Sequence, residues 1–92
     1  MNCCEEFLNA CRLGSLLAVQ SYLDEGLSVD VQNSEGETAL QIAAANGFID
    51  IVSLLLDKGA LIDHPNCYGW TPLMHAARHG HSATVAYLLK MK

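Results

Sequence analysis

The chain is 92 residues long, 51 % apolar and 16 % charged, with a net charge of −5; that describes one small domain with a packed core and excludes a disordered tail. No apolar run approaches the roughly 18 residues of a membrane span, and Glu5 and Glu6 stand where a secretory signal carries positive charge, so a soluble cytoplasmic protein is expected, with the nucleus also open. Residues 1–33 and 34–66 each hold five acids and one base while residues 67–92 hold three bases and no acid, and three bases do not make the basic, aromatic-studded face of a nucleic-acid binder.

From the N-terminus, the first unit (residues 1–33) predicts a helix around Phe7 and Ala10, a corner at Gly14, a second helix around Val19 and Leu23, and a stop at Gly26. The second unit (34–66) opens on a turn at Gly36. Thr38 followed three residues on by Gln41 is a capping-box spacing that starts a helix, and Gly47 stops it by supplying a left-handed residue. Ile51, Val52 and Leu54 to Leu56 then form the apolar face of a longer helix ending at Gly59. In the third unit (67–92), Gly69 marks the turn, Thr71 caps a helix that Pro72 opens, Gly80 is the corner, and Val85 with Tyr87 to Leu89 form the apolar face.

Laid over residues 68–92, residues 35–59 agree at nine of 25 positions, and a further step of 33 reaches the first unit without a gap. Paired alanines (Ala43, Ala44; Ala76, Ala77) let a neighbouring helix approach closely. One helix pair cannot bury both its flanks, so the units must stack as a quasi-one-dimensional solenoid.

"GETALQIAAANGFIDIVSLLLDKGALID" (36–63) and "GWTPLMHAARHGHSATVAYLLK" (69–90) resemble the ankyrin repeat, with its pattern G-x-T-P-L-H-x-A-A-x-x-G-H-x-x-V-V-x-L-L-L-x-x-G-A. The resemblance covers nearly the whole chain and implies an all-α fold, an ankyrin-repeat solenoid of stacked helix-turn-helix units joined by short β-turn or hairpin loops. "NCYGWTPLMHAA" is also similar to ankyrin proteins carrying a SAM domain. In the family the histidine of T-P-L-H ties neighbouring loops together. Here Gln41 and Met74 stand at that place; Gln41 substitutes in part, whereas Met74 cannot donate, which predicts a looser loop around Thr71. The first unit has Cys3 and Glu5 in place of the turn glycine and the threonine and resembles an N-terminal cap. The third reaches Lys92 where the family places its glycine stop, leaving Val85, Leu88 and Leu89 as a flank suited to a further repeat of a longer natural protein.

His75 and His79, four apart on the short helix, have the spacing of paired metal ligands. Yet Ala76 stands where an H-E-x-x-H enzyme has its glutamate, no carboxylate lies in residues 67–92, and His81 falls where the family pattern itself has a histidine. The cysteines lack the twin C-x-x-C spacing of zinc sites. Cys11 is expected on a helix facing the next unit and Cys67 in a turn, neither beside a base, while Cys3 and Cys4 follow a start with no glycine at position 2 for myristoylation. Reduced thiols, no metal, no cofactor and no enzymatic activity are expected.

The resemblance implies a concave surface built from turn tips and first helices. On this chain the third unit offers Cys67, Tyr68, Trp70, His75, Arg78 and His79; the second Ser34, Glu35, Glu37, Ile42, Ala45 and Asn46; the first Asn9, Arg12 and Leu13. Aromatic and arginine side chains carry most binding energy at interfaces, which places the weight on Tyr68, Trp70 and Arg78; the competing reading has Trp70 fold down over its own turn. The expected function is a non-enzymatic protein–protein interaction module, an adaptor or scaffold, engaging a protein partner and neither nucleic acid nor membrane. The alternative is a structural N-terminal cap of a longer repeat array, with binding done elsewhere. Self-association through the uncapped third unit is open to either.

Overall fold

The computed structural model describes residues 3–92 and contains six helices: α1 (Cys3–Leu13), α2 (Leu16–Asp24), α3 (Ala39–Ala45), α4 (Ile49–Asp57), α5 (Pro72–Arg78) and α6 (Ser82–Met91). The reading of position 2 lies outside the described residues. No strand forms among them; one isolated antiparallel bridge joins Gln32 to Thr38 in the loop ahead of α3.

The helix starts follow from the threonines. Thr38 Oγ1 accepts the Gln41 amide at 3.4 Å and Thr71 Oγ1 the Met74 amide at 3.3 Å, and Pro72 opens α5 where its missing N–H has no helical acceptor to satisfy. At seven residues each, α3 and α5 are too short to persist alone. Burial holds α3: every residue from Ala39 to Ala44 is inside. At its end Gly47, at φ 73°, lets its own amide reach the Ala44 carbonyl (3.1 Å) and the Phe48 amide reach the Ala43 carbonyl (3.0 Å), so the last carbonyls are not orphaned as the chain turns into α4. His79, expected on the helix, is instead the C-cap of α5.

Helix α3 packs on α1 at one side and on α5 at the other, and α4 touches both α2 and α6. The result is one continuous core: Phe7, Leu8, Cys11 and Val19 from the first pair, Leu40, Ile51, Val52 and Leu55 from the second, Ala76 and Leu88 from the third. In the first pair Phe7 and Tyr22 meet edge to face at 6.1 Å, and the Tyr22 hydroxyl donates to Glu6 at 2.8 Å. The long dimension, 33 Å, is what three helical layers at about 10 Å produce. Only the middle layer is covered on both sides. Ala44 is therefore buried under the third pair while its counterpart Ala77 is exposed, and Leu89 is 55 % exposed. Leu88, expected on that uncovered flank, points inward and is fully buried; Ala77, Val85 and Leu89 form the flank instead.

Candidate protein-binding surface

Each turn tip is organised by an asparagine. Asn33 Oδ1 accepts the Glu35 and Glu37 amides at 2.9 and 3.0 Å, and Asn66 Oδ1 accepts the Tyr68 and Trp70 amides at 2.9 and 3.0 Å. This is an Asx-type arrangement in which a side-chain oxygen replaces a backbone acceptor. The sequence reading missed both asparagines, although their separation of 33 residues, one period, is the signal that finds them.

The tips are also tied to one another. The Cys67 amide donates to the Glu35 carbonyl at 2.9 Å, and Gln41 Nε2 donates both to the His64 carbonyl and, at 3.0 Å, to the Trp70 carbonyl. Gln41 thus does the joining that its position implied. Its Oε1 is buried and meets no donor among the described residues. The loop ahead of Thr71 is in this way held from the preceding unit, while the Met74 side chain lies largely exposed.

On this frame Trp70 is half-buried. Its ring centroid lies 5.7 Å from that of His75, and the Arg78 guanidinium carbon sits 5.2 Å over its face, a cation–π contact. Tyr68 stands beside it at 68 % exposure. Burial pushes the His75 imidazole below its ordinary value; Glu37 opposes this, and the charges of His79 and Arg78 add to it. His75 Nε2 lies 3.4 Å from Asn66 Nδ2, which can only donate, so the neutral ring is the one that fits. The positive charge of this patch therefore rests on exposed Arg78, which forms no ion pair among the described residues; the pair found there is Lys92 with Asp63, at 3.2 Å.

The other expected residues are spread along the same face. Glu35 is exposed, and Glu37 is half-buried with its carboxylate accepting from Asn33 Nδ2 at 3.0 Å. Asn46 is exposed, but its amide is spent on the Ile42 carbonyl at 2.8 Å. Ile42 itself is buried and offers a partner nothing, which corrects its place on the surface: it faces the core side of α3. Arg12 donates to Asn9, and the two line a hollow of about 200 Å³ together with Glu5, Leu8 and Asn33, three residues the sequence reading had not placed there. Leu13 is 80 % exposed.

Residues 7–92 match the family of ankyrin repeats, in three copies. The chain belongs to the ankyrin repeat family. Among curated proteins none matches it at a significant level. Ankyrin repeats are in general protein–protein interaction modules, and no helix among the described residues is long and apolar enough to cross a membrane.

Within these ankyrin repeats the histidines point to different neighbours. His75 lies on Trp70; His79 stacks on His81 at 6.3 Å; His81 Nε2 reaches the Ala45 carbonyl at 2.9 Å. No group of three metal-ligating side chains forms among the described residues. Cys11 is fully buried in the ankyrin core, and burial pushes its thiol up to about 12, against a small lowering by Arg12. It is a protonated packing residue, whereas Cys67 is exposed at the turn tip.

Proposed function

We propose that this chain is a non-enzymatic adaptor or scaffold segment whose three units, dividing at residues 33 and 66, grip a protein partner through turn tips and first helices. The observation that carries the reading is the surface at Trp70: an indole in contact with His75 and with Arg78, which has no ion-pair partner among the described residues, beside an exposed Tyr68. Rigid aromatic area with one unmatched charge is what binding hot spots are made of, because little side-chain entropy is lost on association. Glu35 and Glu37 on the second turn tip and Arg78 on the third favour a partner segment of the reverse polarity, Arg12 and Leu13 extend the contact, and His79 and Asn46 border it. The compartment in this reading is the cytoplasm, with the nucleus also open.

The test is paired capture from cell extract with the wild-type chain and a Tyr68→Ala, Trp70→Ala double variant, both checked for folding by circular dichroism. A protein that binds the purified wild-type chain at least about tenfold more tightly than the variant, a difference of about 1.4 kcal/mol, supports the reading. Identical captures and affinities overturn it. Affinity unchanged between low and high salt removes the electrostatic part.

A second reading is a structural N-terminal cap of a longer array: α2 leaves Gln20, Ser21 and Asp24 exposed as terminal repeats do, although Leu17 on the same face is exposed as well. Self-association of the chain through its third unit is compatible with either reading.

A further inference from the structure

Arg12 and Arg78 stand two periods apart, so the repeat sets them at the same place near the end of the first helix in the first and third units, with Ala45 at that place in the second. Both are exposed, and both lean back along their helices towards the turn tips. Arg12 donates to Asn9 and shares a hollow with Asn33, whose side chain organises the second tip. The Arg78 guanidinium carbon lies over Trp70 on the third. The second tip itself presents exposed Glu35 and half-buried Glu37. His75 feels the charges of both Glu37 and Arg78, so the two share one neighbourhood.

The row therefore carries one sign of charge per unit: positive, negative, positive. Among the described residues no ion pair neutralises any of them; Glu5, two turns earlier on α1, borders the Arg12 hollow without pairing with it. Packed helices lie about 10 Å apart, which sets the step from one unit to the next. A polyproline-II segment has three residues per turn and rises about 3.1 Å for each, so every third side chain faces the same way about 9 Å further on. A β-strand cannot match this step, because its side chains alternate and every third one faces away. The spacing of the charges thus selects the conformation of whatever crosses them. Exposed Tyr68 beside half-buried Trp70 adds the aromatic ground on which such segments dock.

We infer that this face binds a polyproline-II segment of a partner protein carrying an acid, a base and an acid at every third residue, the acids meeting Arg12 and Arg78 and the base meeting Glu35 and Glu37. The inference rests on the binding reading above and deepens it by naming the chemistry of the partner. Each guanidinium offers a fork of donors that suits a carboxylate. Ala45, small and half-buried, leaves clearance for the segment's backbone between the two arginines. The order of charges is the same from either end, so both chain directions fit.

The test titrates the full chain at low salt with end-blocked synthetic peptides, read by Trp70 fluorescence and calorimetry. The first peptide is E-P-P-K-P-P-E, the second K-P-P-E-P-P-K with the signs exchanged, and the third E-P-K-P-E with the charges at every second residue. The chain has a net charge of −5, so overall charge alone favours the second, which is net positive. The first is expected to bind at least about tenfold more tightly than either of the others. Arg12→Gln and Arg78→Gln, checked for folding by circular dichroism, are each expected to weaken it at least about threefold, and Lys90→Gln on exposed α6 surface to leave it unchanged. Tighter binding of the second peptide, equal binding of the first and third, or no binding of the first at millimolar concentration overturns the proposal, as does a preference that survives both arginine variants. A protein captured through Tyr68 and Trp70 whose bound segment lacks the pattern overturns this proposal alone and leaves the reading of the surface standing.

Discussion

Cys11 and His75 answer burial in opposite directions because burial disfavours whichever form is charged: the thiolate of one, the imidazolium of the other. At pH 8 iodoacetamide is expected to alkylate Cys3 and Cys67 within minutes and to leave Cys11 unmodified until urea unfolds the chain, as read by mass spectrometry of intact protein and peptides. For His75 the folded-state value lies below the ordinary 6.5. The unfolded chain then binds the proton more readily, so this contribution to stability is complete above pH 6.5 and declines as the pH falls through the folded value. NMR titration is expected to put the His75 midpoint below 6.5, with Trp70 fluorescence changing over the same range; a midpoint at or above it would refute the burial argument. Neither shift was legible in the sequence. That Cys11 is a packing residue was, because the period sets it at the place of buried Ala44. That Trp70 would settle against His75 and Arg78 was not, because a turn residue flanked by a glycine has several rotamers and only the neighbouring helix selects among them.

The corner between two helices of a pair is where local sequence and stacking meet. Gly47 and Gly80 have nearly the same left-handed φ, so alanine strains both by about 1–2 kcal/mol. At Gly47 the new methyl also displaces His81 and its bond to Ala45, which adds about 1 kcal/mol. Gly47→Ala is therefore expected to lower stability more than Gly80→Ala by that amount in urea titrations. Equal losses would mean the ring contributes nothing to holding the second and third pairs together. The left-handed glycines were readable from their spacing; the rings that lie against Gly14 and Gly47 were not, since Phe48 and His81 share no property in a sequence except planarity. Ile42 and Leu88 fell on the wrong side for a related reason. Which face of a helix meets its neighbour depends on the angle at which the two cross, and the sequence period does not encode that angle.

Across the whole molecule the middle pair is packed on both sides and the third on one. In a stack whose layers touch only their neighbours, local stability follows the number of covered flanks. Amide exchange is accordingly expected to be slowest in α3 and α4 and fastest in α6, with protection differing by at least tenfold. Uniform protection would mean that the three pairs unfold as a single unit. The sequence alone determined the repeat, its period, the helix starts at Thr38 and Thr71, the glycine corners and the uneven charge, because each is local chemistry written at fixed spacing. Tertiary structure alone decided which side of α3 is buried, how Gln41 and the two asparagines tie the turn tips, and how Trp70 lies. Those depend on a neighbouring layer, and a layer's position comes from packing two helix pairs together.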